Sequence, residues 1–119
     1  RTGMRFRGFN SHPAMGEWSV ESHIIAWDEQ REFAWAVADP DNPSAVWRFT
    51  LEPVDGGTRL TERAQLGPGP SGLSHAIRAM PDKEQKIVFV RLREWEAAIA
   101  RTLADVRDRV ERALSEGGD

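Results

Sequence analysis

At Gly67-Pro68-Gly69-Pro70 the hydrophobic period of the chain changes, from two before the corner to three or four after it, and this switch constrains the fold more than any other feature. Upstream, five stretches alternate apolar and polar residues as half-buried strands do. Gly3 to Ser11 sets Met4, Phe6 and Gly8 against Arg5 and Arg7, and ends in the breaker cluster His12-Pro13-Ala14-Met15-Gly16. Glu17 to Trp27 places Trp18, Val20 and Ile24 on one parity and turns at Asp28-Glu29-Gln30. Arg31 to Ala38 sets Phe33, Trp35 and Val37 against Ala34, Ala36 and Ala38, then meets a proline-rich reversal. Ser44 to Val54 and Thr58 to Leu66 flank Asp55-Gly56-Gly57 as the arms of a hairpin. A parallel crossover needs about a dozen residues or more, and these connections are shorter. The spacing therefore predicts an antiparallel meander of five strands, with one face buried and the other wet.

Downstream, Ser71 to Met80 reads as a short helix, entered at Ser71 or Pro70, with Leu73, Ile77 and Met80 on one face and Pro81 closing it. Asp82 caps a long helix that runs to about Ser115, where Gly117-Gly118 ends it. Its apolar positions, Val88, Leu92, Trp95, Ile99, Leu103, Val106, Val110 and Ala113, recur every three or four residues. Asp105 with Arg109 forms an i,i+4 pair on the opposite side. The expected fold is α+β: a curved antiparallel β-meander wrapped on a long C-terminal α-helix, the arrangement called a helix-grip.

The totals narrow the function. A chain of 119 residues makes one domain, 1–119, and cannot hold two cores. A net charge of -3 gives no pull toward nucleic acid or an acidic bilayer. No apolar run approaches the roughly 18 residues of a membrane span. The chain has no cysteine, which removes disulfides, thiolate nucleophiles and cysteine metal sites together and fits a cytoplasmic location. It opens on Arg1-Thr2-Gly3 with no initiator methionine, as a fragment or a processed chain would.

Several motifs have to be weighed against plain structural roles. Gly67 to Gly72 spells G-x-G-x-x-G between a strand and a helix, the context of a dinucleotide fingerprint. Pro68 and Pro70 lack the N–H groups that a phosphate cradle uses, and no strand follows to build a βαβ unit, so the segment reads as a stiff corner and no cofactor is expected. His12, His23 and His75 fall in a turn, a strand and a short helix without metal-ligand spacing, so no metal is expected either. Gly69-Pro70-Ser71-Gly72 brings its second glycine one place early for a serine nucleophile elbow. The apolar seam of the long helix also fits a coiled coil, although Trp95 suits a wide concave sheet better than the tight holes of a dimer.

Glu62 is the sharpest single residue. Counting by twos gives Leu60, Glu62, Ala64 and Leu66 on the inner face, and a bare carboxylate there is costly. Three fates fit: an ion pair with an arginine at the rim, a bulge that turns Glu62 outward, or a polar group inside a wet cavity. Asn10 and Ser22 share the inner parity. So do Phe6, Trp18, Phe33, Trp35, Trp47 and Phe49, which make either a filled core or the wall of a cavity facing Leu92, Trp95 and Ile99 of the long helix.

The segments GMRFRGFN, EWSVESHIIAWDEQREFAWAV, AVWRFTLEPVDGGTRLTERAQLGPGPSGL and MPDKEQKIVFVRLREWEAAIARTLADVRDRVE together resemble the bacterial START-like superfamily, also called SRPBCC, in its polyketide cyclase/dehydrase and lipid-transport branch. The most distinctive part is the Trp47 to Glu62 hairpin with its Gly-Gly-Thr turn, and it marks the fold more than any reaction. Members of that family begin with a further strand, two short helices forming a V, and another strand before the segment that corresponds to Gly3. This chain lacks them, so an open apolar groove with exposed edge strands is expected in place of a sealed pocket.

The resemblance implies a protein that encloses a small hydrophobic or aromatic molecule, a lipid or a polyketide-like compound. The aromatic residues would form the wall, Glu62, Ser22 and Asn10 the polar anchors, and Leu73, Ile77 and Met80 a mobile lid. A second class is catalysis, cyclisation or dehydration with Glu62 as general acid or base; the sequence offers no second acid, base or oxyanion donor. A third is a homodimer formed through the long helix or the exposed edges.

Overall fold

The computed structural model describes residues 1–14 and 16–117. Five strands, β1 (Arg5–His12), β2 (Gly16–Asp28), β3 (Glu32–Val37), β4 (Ala45–Val54) and β5 (Gly57–Leu66), form one antiparallel sheet in sequence order. Helix α1 (Gly72–Ala79), a 3-10 turn (Pro81–Lys83) and helix α2 (Glu84–Gly117) follow. The predicted α+β meander and long terminal helix are therefore the observed fold.

Local chemistry sets each junction. The β4–β5 turn is the two residues Asp55-Gly56, with Gly56 at φ +80°, a conformation that glycine adopts without steric cost. In the β3–β4 loop, the Asp39 side chain accepts the Asp41 N–H at 2.9 Å while its carbonyl accepts the Asn42 N–H at 3.1 Å, an Asx turn. The proline–glycine corner is tied to that loop: the Gly67 N–H donates to the Ser44 carbonyl and the Gly69 N–H to the Pro43 carbonyl, both at 2.7 Å. A Cβ on Gly69 would lie 2.0 Å from the Asn42 carbonyl oxygen, so only glycine fits there. The corner is structural, as its prolines suggest. At the start of α1, the Ser71 hydroxyl accepts the Leu73 N–H and the Ser74 hydroxyl accepts the Ser71 N–H, a reciprocal cap that fixes the helix entry at Ser71.

Three of the cross-strand rows on the inner face span several strands. One runs Phe6, Ser22, Val37, Ala45, Leu66; the next Ile24, Trp35, Trp47, Ala64; the third Trp27, Phe33, Phe49, Glu62. Trp27 joins the third row because a register shift between Ile24 and Ala26 inverts its parity. It meets Phe33 edge-on at 5.3 Å. Strict alternation from Ile24 would put Trp27 on the opposite face.

Helix α2 contributes 34 residues, about 51 Å at the usual rise, and sets the molecule's longest dimension of 58 Å. The radius of gyration, 16.8 Å, exceeds the roughly 13–14 Å of a compact chain of this length. The overhanging end of α2 leaves Val110 and Leu114 exposed, and the Asp105–Arg109 pair closes at 3.2 Å on its surface. No helix among the described residues is long and apolar enough to cross a membrane.

Candidate functional site

The inner face is only partly filled. Its large rings, Trp18, Phe33, Trp35, Trp47 and Phe49, are half-buried, and the largest side chain that is fully buried is Ser22, at 2% exposure. Between the sheet, α1 and α2 lies a cavity of about 1080 Å3. It is a groove open to solvent: Phe6, on its wall, is 38% exposed. A well-packed core would have closed over these rings.

The wall is aromatic and ordered. Trp35 lies nearly parallel to its cross-strand neighbour Trp47, with planes 16° apart and centroids 6.4 Å apart, and is inclined 28° to Phe49 at 6.0 Å. Phe6 meets Trp35 edge-on at 5.9 Å. Opposite, Trp95 of α2 rests on Trp47 with centroids 4.8 Å apart. Because this face of α2 is occupied by the sheet, Trp95 cannot serve as the centre of a coiled-coil seam.

Most of the residues expected to contact a ligand line this cavity: Phe6, Asn10, Trp18, Ser22, Trp35, Trp47, Phe49 and Glu62 from the sheet, Leu73 from α1, and Trp95 and Ile99 from α2. Four do not. Phe33 shares the inner face but packs against Trp27 and Trp35 beyond the cavity. Ile77 is half-buried away from it, since α1 presents Leu73 and Ala76 to the cavity. Met80 stands past the end of α1 as its C-cap and is 42% exposed. Leu92, also 42% exposed, points out because α2 turns Arg91, Trp95, Ala98 and Thr102 inward.

Of the three fates expected for Glu62, the outward bulge is excluded, and the residue lines the cavity. The β4–β5 register runs unbroken from Ala45↔Leu66 to Val54↔Gly57, so no bulge turns it outward. Its Oε1 is sealed from solvent and has no hydrogen-bond partner among the described residues. Burial raises its pKa above the ordinary glutamate value.

A second polar group gathers where α2 meets the tip of the β1–β2 hairpin. The Ala14 N–H donates to His12 Nδ1 at 3.0 Å, which leaves the imidazole proton on Nε2; that nitrogen donates to Glu94 Oε2 at 2.7 Å. Glu94 Oε1 accepts from Arg91 Nη1 at 3.4 Å, and the Arg91 guanidinium lies over the Trp95 ring, 5.8 Å from its centroid. The hydrogen bond from His12 holds the Glu94 carboxyl below the ordinary glutamate range, against the opposing cost of burial and with help from Arg91. Sequence reading missed Arg91, Ala98 and Thr102, since a hydrophobic stripe cannot reveal a polar or small residue on a cavity wall.

His23 lies on the other face, 3.6 Å from Glu21, and His75 borders the cavity from α1. Among the described residues no three acidic, histidine or cysteine side chains cluster as metal ligands.

No protein-family model matches the chain, and no curated protein matches it. The solution NMR structure of a polyketide cyclase-like protein from Corynebacterium glutamicum superposes with a TM-score of 0.68 at 24% identity, covering 98% of this chain and 68% of that one. The likeness shows a shared helix-grip fold over nearly the whole chain.

Proposed function

We propose that this protein belongs to the START-like superfamily and binds a small hydrophobic or aromatic molecule, a lipid or polyketide-like compound, in the groove between its sheet and α2. One observation carries the proposal: the aromatic face that should be the core of so small a domain stays half-open on a cavity of about 1080 Å3. Pockets that enclose apolar ligands are built this way, from apolar and aromatic walls with a few placed polar groups. Glu62, Ser22 and Asn10 supply those groups from the sheet. The fold shared with a polyketide cyclase-like protein supports the same class of ligand.

Catalysis is the second reading, favoured by one feature. A carboxyl with a raised pKa on a cavity wall is what a general acid or base requires. No second catalytic group contacts Glu62 among the described residues, so binding ranks first.

Native mass spectrometry of the protein taken directly from its source cells tests the binding function. A co-purifying hydrophobic mass that organic extraction removes is the expected result; repeated isolation of bare protein contradicts it. For catalysis, Glu62→Gln separates the two readings, since turnover should vanish while ligand affinity holds within a few fold.

A further inference from the structure

We infer that the ligand is an amphipathic acid, seated with its anionic oxygens at Arg91 and its apolar body along Trp47 and Trp95. The inference rests on the binding function proposed above and adds the polar chemistry of the ligand and its direction in the groove.

Arg91 lines the cavity with its side chain 20% exposed. A guanidinium carries five N–H donors and no acceptor. Among the described residues Arg91 reaches one protein acceptor, Glu94 Oε1, at 3.4 Å, so most of its donors remain for another partner. Two contacts restrain it. Glu94 is itself anchored at 2.7 Å by His12, and the guanidinium carbon lies over the Trp95 ring, 5.8 Å from its centroid. An arginine held in this way is pre-organised for the paired oxygens of a carboxylate, which it binds through two parallel hydrogen bonds.

The sheet supplies the direction. Glu62 sits on the Phe49 row, whereas Arg91 belongs through Glu94 and His12 to the tip of the β1–β2 hairpin. In between lie the Trp47 row, the Phe6–Leu66 row and the β1–β2 pairs Gly8–Val20 and Asn10–Trp18. An anion at the Glu62 end would meet an acid without a cationic partner. At the other end it meets a guanidinium, beside the Glu94 carboxylate that His12 also holds. The two ends of one aromatic groove thus prefer opposite chemistry, and a molecule with a single acidic terminus has one favoured orientation.

The test uses two probes that differ only at the terminus, pyrenebutyric acid and pyrenebutanol, titrated by energy transfer from tryptophan to pyrene. The protein of residues 1–119 should bind the acid about tenfold more tightly than the alcohol, the difference expected of a charge-assisted pair. Arg91→Gln should abolish that preference while the affinity for the alcohol stays within about twofold. Equal affinity for the two probes, or a preference for the acid that survives Arg91→Gln, overturns this inference and leaves ligand binding standing. No saturable binding of either probe overturns both.

Discussion

Trp47 and Trp95 meet with ring centroids 4.8 Å apart and planes inclined at 49°, and this indole pair seats α2 against β4. Glu94, one residue earlier in the helix, holds the β1–β2 tip through His12. Consecutive residues of one helical turn thus reach two strands, β1 through His12 and β4 through Trp47.

The first prediction concerns that support. Trp95→Ala deletes one half of the indole pair and should cost about 2–3 kcal/mol of unfolding free energy, somewhat below the loss for a fully buried tryptophan because Trp95 is half-buried. Urea denaturation followed by circular dichroism measures it. A cost near that of an ordinary surface substitution, about 0.5 kcal/mol or less, would show that α2 is seated elsewhere.

The corner at Gly69 makes the second. A methyl group there would overlap the backbone at Asn42 and Pro43, neither of which is a flexible side-chain end. Gly69→Ala should destabilise the fold by about 1–3 kcal/mol, through strain between the β3–β4 loop and the start of α1. The check is the same denaturation experiment. An alanine accommodated without loss would mean that the loop and corner are not tied as described.

Glu62 gives a pH-dependent outcome. Its pKa is raised in the folded state by burial, so the folded protein binds this proton more tightly than the unfolded chain. Its contribution is therefore favourable below the ordinary glutamate pKa and is lost as pH rises through the raised folded value. Glu62→Gln removes the dependence. The variant should melt at a higher temperature than the parent near about pH 8, and the difference should close on acidification below about pH 4. A parent that is the more stable of the two at alkaline pH would show that Glu62 has a partner when ionised.

Much of this was legible in the sequence, for identifiable reasons. A side-chain period of two fixes the face of every residue so long as the register is continuous, and β4–β5 is continuous, so Glu62 could be placed inward by counting from Leu60. The same count carried past Ile24 would put Trp27 on the wrong face, because the register shift before it has no local signature. On α2, apolar spacing centred the stripe on Val88, Leu92, Trp95 and Ile99; Trp95 and Ile99 do line the cavity, but Arg91, Ala98 and Thr102 join them there and Leu92 does not. Hydrophobic periodicity finds packed faces and overlooks a polar wall. His12 and Glu94 lie 82 residues apart, and nothing near either one announces the other.

The most direct test of an open groove needs no knowledge of the natural ligand. Ala98 projects from α2 into the cavity, so Ala98→Trp adds an indole where space is available. The variant should keep its unfolding free energy within about 1 kcal/mol of the parent and lose saturable binding of pyrenebutanol. A loss of about 2 kcal/mol or more would show that sheet and helix are already packed together and that no groove exists.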